Sequence, residues 1–276
     1  MSDPSDGFVV LPDGARIAYE VTGHDLPGEP VLLVRPLAGS RAMWGEFGEE
    51  LGREFRVIAY DLRGVGESDD APLGVDTRSM ARDALAVLDA LEVDRARVFG
   101  ISLGGMVATW LAVDAPGRVS RLCLASAGPV GLSLSPSALR VGVEVVASML
   151  APKEEVLGRL ADAMVSPELR EEDPARAEAI DAAAAEESVR REGLVHHGLA
   201  AARHDARDVL GQITAPTLVL VGGRDPLVSV EQAGALAEGI PGGRLEVMED
   251  AGHDLSLEQP GETARRVAQF FRGGEG

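Results

Sequence analysis

Cysteine is nearly absent from this chain. Cys123 stands alone among 276 residues, so no disulfide can form within it, and that scarcity fits a reduced compartment. It lies inside the apolar run Leu122-Cys123-Leu124, the setting of a buried filler rather than a nucleophile. Positive charge is also scarce. Twenty-six Lys and Arg face 45 Asp and Glu, the only lysine is Lys153, and the formal net charge is −19. That balance argues against nucleic acid or an anionic membrane as a partner. The acidity is spread along the chain, so it does not imply a cationic substrate. Aromatic residues make up only 4%, which leaves the aliphatic part of a 45% hydrophobic composition to build the core. No apolar run approaches the roughly 18 residues that cross a bilayer. Met1-Ser2-Asp3-Pro4 opens the chain without a basic or an apolar leader region. The expectation is a soluble cytoplasmic protein.

Short apolar runs and amphipathic runs alternate along the chain. Phe8–Leu11 and Arg16–Val21 flank the turn signal Pro12-Asp13-Gly14 and read as a hairpin. Val31–Val34, Val57–Tyr60, Ala96–Phe99 and Arg121–Ala125 read as buried strands, with helical spacing over 43–55, 80–91 and 106–113 between them. This order predicts an α/β fold with a mostly parallel twisted sheet and helices on both faces. The rhythm breaks at Gly128-Pro129. Residues 135–211 are rich in Ala, Glu and Arg, with helical runs expected over 141–150, 154–164, 175–188 and 189–203. It resumes with strands at Thr217–Val221 and Arg244–Met248 and helices at Val230–Ala237 and Glu262–Phe271. A separate helical domain would leave the last two strands as an isolated sheet. The reading is therefore a core of residues 1–128 and 212–276 carrying an inserted helical cap of residues 129–211.

What the chain has in abundance is glycine, 33 residues, and one pentapeptide uses it in a chemically pointed way. Gly100-Ile101-Ser102-Leu103-Gly104 sits between a strand and a helix. A serine on such a turn is held in strained dihedrals at the C-terminal edge of the sheet, and flanking side chains would collide with strand or helix. Its hydroxyl becomes a nucleophile only with a base, and that base needs a carboxylate to fix its tautomer. In a doubly wound sheet these partners belong at the C-terminal ends of later strands. Asp225 follows the strand Thr217–Val221 and His253 follows the last strand. Asp254 is the rival acid.

The order Ser102, Asp225, His253 resembles that of the α/β-hydrolase superfamily. The likeness extends along nearly the whole chain. Asp61-Leu62-Arg63-Gly64-Val65-Gly66-Glu67-Ser68 looks like that family's Asp-x-Arg-Gly-x-Gly-x-Ser loop, and Gly252-His253 followed by Glu258-x-Pro260 looks like its histidine loop. Ala215-Pro216-Thr217-Leu218-Val219 leading to Gly223-Arg224-Asp225 looks like its acid strand. Leu37 through Met43-Trp44 and the compact cap look most similar to 3-oxoadipate enol-lactonases and small esterases. The resemblance implies a cofactor-free serine hydrolase of a carboxylic ester or lactone, with an acyl-enzyme intermediate. It puts the oxyanion-hole N–H groups on Leu37 and Leu103. Where many relatives have His-Gly, this chain has Arg35-Pro36.

Arg35 could pair with a substrate carboxylate, or it could be a loop residue or half of a structural ion pair. Trp44 could line an acyl pocket or pack between helices. The adjacent His196 and His197 diverge by about 100° on a helix and do not form the usual ligand pair, so no metal is expected. A perhydrolase or haloperoxidase-like activity uses the same three side chains, and a hydrolase-fold binding or receptor protein would keep the fold without turnover. Expected partners are limited to a small-molecule substrate and, for the protein itself, a monomeric or homodimeric state.

Overall fold

The computed structural model describes residues 5–131, 155, 158, 160, 162, 164–186 and 189–273. Eight strands form one sheet in the order β1-β2-β4-β3-β5-β6-β7-β8. β1 (Ser5–Val10) and β2 (Arg16–Thr22) make the antiparallel hairpin, and β2 lies antiparallel to β4 (Val57–Tyr60). From β4 onward the pairing is parallel, through β3 (Val31–Val34), β5 (Ala96–Ile101), β6 (Val119–Ala125), β7 (Thr217–Gly222) and β8 (Arg244–Met248).

Continuous apolar strands require cover on both faces, and they receive it. Leu32, Val34, Ile58, Val98, Leu122 and Val219 pack into one cluster. Their neighbours Val31, Leu33, Val57, Phe99, Cys123 and Leu218 pack into the other. The alternation follows from the two-residue period of a strand. Cys123 is free and buried, and burial pushes its thiol pKa up, as suits a filler. The few aromatics concentrate on this second face, where Trp44, Phe47 and Phe99 meet ring to ring at 4.8–5.8 Å.

Helix starts follow capping chemistry rather than hydrophobic spacing alone. α1 (Gly45–Gly52) begins only after a 3-10 turn at Arg41–Trp44, because Gly45 breaks the expected 43–55 run with φ 38°. α2 (Thr77–Ala90) starts three residues before Met80. The Asp76 side chain accepts from the Ser79 N–H at 2.7 Å while Ser79 Oγ accepts from the Asp76 N–H at 2.9 Å. α3 (Leu103–Asp114) starts directly after Ser102 and is apolar nearly all round, as a central buried helix must be.

Between β6 and β7 the described residues add no strand to the sheet and include helical stretches. They form α4 (Pro167–Glu172), α5 (Pro174–Glu186) and α6 (Arg191–Ala202), and residues 155, 158, 160, 162 and 164 are helical too. The expected helix over 141–150 lies outside the described residues. The chain leaves and re-enters side by side: Gly131 N–H donates to His204 O at 2.7 Å and Ala206 N–H to Pro129 O at 2.9 Å. α7 (Val230–Gly239), α8 (Leu255–Glu258) and α9 (Pro260–Phe271) complete the layers. Among the described residues no helix is long and apolar enough to cross a membrane.

Candidate active site

Ser102 occupies the turn between β5 and α3 with φ 55° and ψ −120°. That conformation is left-handed and costly for a residue with a Cβ, of order 1–3 kcal/mol. The flanking glycines are a steric necessity. A Cβ on Gly100 would lie 2.3 Å from Gly104 O, and one on Gly104 would lie 2.0 Å from Val34 O. The strand, turn and helix can approach this closely only without those side chains. Backbone bonds lock the turn, Ser102 N–H to Ala125 O at 2.9 Å and Met106 N–H to Ser102 O at 3.1 Å.

The loops after β7 and β8 bring the other two side chains to it. His253 Nε2 lies 2.9 Å from Ser102 Oγ, and His253 Nδ1 lies 3.0 and 2.9 Å from the two carboxylate oxygens of Asp225. Asp225 can only accept, so Nδ1 carries the proton and Nε2 is left with a lone pair facing the hydroxyl. Asp225 is held in turn by the Leu227 and Val228 N–H groups, at 2.8 and 2.9 Å. Its side chain is fully buried and that of His253 nearly so. Burial alone would depress the imidazole pKa. The Asp225 charge and hydrogen bond, with smaller contributions from Asp254 and Glu258, bring it out above the ordinary 6.5.

Leu37 and Leu103, the residues expected to supply oxyanion-hole amides, both lie at the Ser102 cavity. Leu103 is the first residue of α3, where N–H groups lack an intrahelical acceptor. The Leu37 N–H has no protein acceptor among the described residues. Leu37, Leu103, Ser102 and His253 all line one cavity of about 50 Å³. Its other walls are apolar, formed by side chains such as Met106, Val130, Leu227 and Val228, with Gln232 as a polar exception.

Asp254, the rival acid, is turned away from the imidazole. It takes Arg35 Nη2 at 3.1 Å and Ser256 Oγ at 2.6 Å. Of the alternatives the sequence leaves open for Arg35, the structure contains the ion pair. Its guanidinium is 1% exposed, bonded to Asp254 and to Ser256 Oγ at 3.1 Å, and stacked 4.6 Å from the Trp44 ring centre. A buried cation needs a buried anion, and Asp254 supplies it. Trp44 is likewise buried in the aromatic cluster and does not line the Ser102 cavity.

Arg63, in the Asp61–Ser68 loop, bonds Asp83 at 2.7 and 2.9 Å and Asp13 at 2.6 Å, tying hairpin, loop and α2 together. His197 lies against the Arg63 carbonyl at 2.8 Å, and among the described residues no cluster of His, Cys, Asp and Glu could hold a metal ion. Sequence reasoning gave Glu258 no role. It accepts from Gly252 N–H at 3.0 Å, Ser166 N–H at 2.8 Å and Ser166 Oγ at 2.9 Å, clamping the histidine loop to the helical segment. The spacing Gly252-x₅-Glu258 was the available signal. Leu160, Met164 and Gln232 in the cavity wall carried none.

Residues 29–260 match the family described as alpha/beta hydrolase fold. The chain belongs to that family, and it is a hydrolase. It is 32% identical over 257 residues to the dihydrolipoyllysine-residue acetyltransferase component of an acetoin cleaving system from Pseudomonas putida, a match covering 92% of this chain; the chain spans 66% of that relative's length. It is 26% identical over 281 residues to 3-oxoadipate enol-lactonase 1 from Acinetobacter baylyi, covering 99% of this chain and 98% of the lactonase. Among solved structures, a thermophilic esterase from Thermogutta terrifontis with malate bound superposes with a TM-score of 0.82 at 29% identity, covering 99% of each chain.

Proposed function

We propose that the protein hydrolyses carboxylic esters or lactones through an acyl-enzyme on Ser102. His253 Nε2 takes the Ser102 proton as Oγ attacks the carbonyl carbon. The C=O bond opens to an oxyanion held by the Leu37 and Leu103 N–H groups, where each donor is worth about 3 kcal/mol. Collapse expels the alcohol, which leaves with the proton returned by His253. Water, deprotonated by the same imidazole, then attacks the acyl carbon and releases the acid, restoring Ser102. Asp225 keeps the imidazole in the right tautomer and stabilises it while it is charged. The helical segment of residues 129–211 acts as a cap that shields this chemistry from bulk water and shapes the pocket.

One observation carries the reading. A serine in a strained turn shares a 2.9 Å contact with an imidazole whose far nitrogen is spent on a buried carboxylate. The apolar cavity around them suits an ester or lactone better than a highly charged substrate. The names of the enol-lactonase and esterase relatives support the same class. A fluorophosphonate probe tests it. The wild-type protein should label stoichiometrically and lose p-nitrophenyl ester turnover, and Ser102→Ala should neither label nor turn the ester over. Labelling that survives Ser102→Ala would overturn the assignment.

A further inference from the structure

The cavity at Ser102 is short, and it has a neighbour. Across the side chains of Leu37, Leu160 and Met164 lies a second void of about 40 Å³, lined further by Met43, Ile180, Ala184 and Leu257. Among the described residues, the wall it exposes is apolar. Arg35 borders it, but that guanidinium is committed to Asp254 and Ser256. Leu37, Leu160 and Met164 line both voids and so form the partition between them. Leu37 is held by its place in the loop after β3, and Leu160 is 3% exposed. Met164 differs from both. Its carbonyl accepts from the Asp254 N–H at 2.9 Å, which pins its backbone to the histidine loop. Its side chain is only half-buried, unbranched and free about three torsions. The partition therefore has one movable part.

We propose that the second void is a subsite for the distal part of an aliphatic acyl chain, admitted when the Met164 side chain swings aside. The substrates are then esters or lactones of unbranched, medium-chain carboxylic acids. This rests on the serine-hydrolase reading above and adds the substrate class. An apolar void holds water poorly, whereas each methylene moved into it from water gains about fourfold in affinity. A short acyl group fills the first cavity alone and gains nothing from the second.

Two variants act on the subsite in opposite directions: Met164→Ala removes the door and Ala184→Leu fills the room behind it. On p-nitrophenyl esters from acetate to decanoate, the octanoate-to-acetate ratio of kcat/KM should rise about tenfold in Met164→Ala and fall about tenfold in Ala184→Leu. A parallel series of alkyl acetates, which lengthens the alcohol instead, should not follow. A ratio unmoved in both variants, or one that follows alcohol length, overturns the proposal. A binding arm reads the subsite without turnover. Calorimetric titration of methyl octanoate into Ser102→Ala should show at least fivefold tighter binding than into Ser102→Ala/Ala184→Leu, and equal affinities overturn the proposal. If the wild-type protein turns over no ester, the serine-hydrolase reading falls, and the titration still judges the subsite.

Discussion

Asp225 and Asp254 sit in the loops after the last two strands, both with fully buried side chains and each about 3 Å from a basic partner. The first faces a titratable imidazole that touches Ser102; the second faces a permanent guanidinium that touches no reacting atom. A carboxylate against a permanent cation ties together two loops, here the one bearing Leu37 and the one bearing His253. A carboxylate against a group that gains and loses a proton can follow a reaction. Burial and pairing are the same in both; the chemistry of the partner is what assigns one pair to the scaffold and the other, in the proposed mechanism, to proton transfer.

Breaking the first pair should cost turnover, and the loss sets the upper end of the scale. His253→Ala should reduce kcat by about 10⁵-fold and Asp225→Asn by about 10⁴-fold, with the folded protein intact by circular dichroism. Full activity in Asp225→Asn would move the acid role elsewhere. Breaking the second pair should cost stability instead. Arg35→Met strands a buried carboxylate and should lower the unfolding free energy in urea by about 3–5 kcal/mol, while Arg35→Met/Asp254→Leu recovers most of that loss. An Arg35→Met protein as stable as wild type would refute the structural role.

The comparison also has a pH dependence. The His253 pKa is raised by Asp225, and catalysis needs the neutral ring, so kcat/KM should rise with pH through an apparent pKa above 6.5. The same shift affects stability with the opposite sign. The contribution is full below about 6.5 and is lost as pH climbs through the raised value. In Asp225→Asn the acid limb of the residual activity should move to lower pH. A further pH effect belongs to His197 and His204, whose pKa values burial lowers to about 4. Between pH 6.5 and 4 the unfolded chain binds protons that these rings refuse, so Tm should fall as pH drops through that window. His204→Gln should flatten the fall; an unchanged slope would show that other groups cause it.

Much of this arrangement was legible from residue order. The strands stood out because they are apolar and short, and the Gly100–Gly104 turn because a serine flanked by glycines has few reasons to interrupt a strand-to-helix junction. Helix starts at Thr77 and Pro260 were misplaced by two or three residues, since the cap side chain or proline lies outside the hydrophobic period. Arg35 was ambiguous because a lone arginine after a strand carries no mark of what will face it. Its partner is 219 residues away, and no local pattern connects them. Glu258 was visible as a motif letter, yet its clamp on Ser166 spans 92 residues. The helical segment offered least, because Ala-rich sequence specifies helix without specifying which face meets the cavity.

The sequence by itself determined the strand and helix order, the tight turn at Ser102 and the identity of the groups able to exchange a proton. Those follow from local sterics, side-chain periodicity and intrinsic acid–base chemistry, which act over a few residues. Tertiary structure alone decided which carboxylate the imidazole faces, which cation is spent on the scaffold, and how Leu160 and Met164 divide the apolar space. Those depend on which distant groups are buried together, and burial is set by the packing of the whole chain.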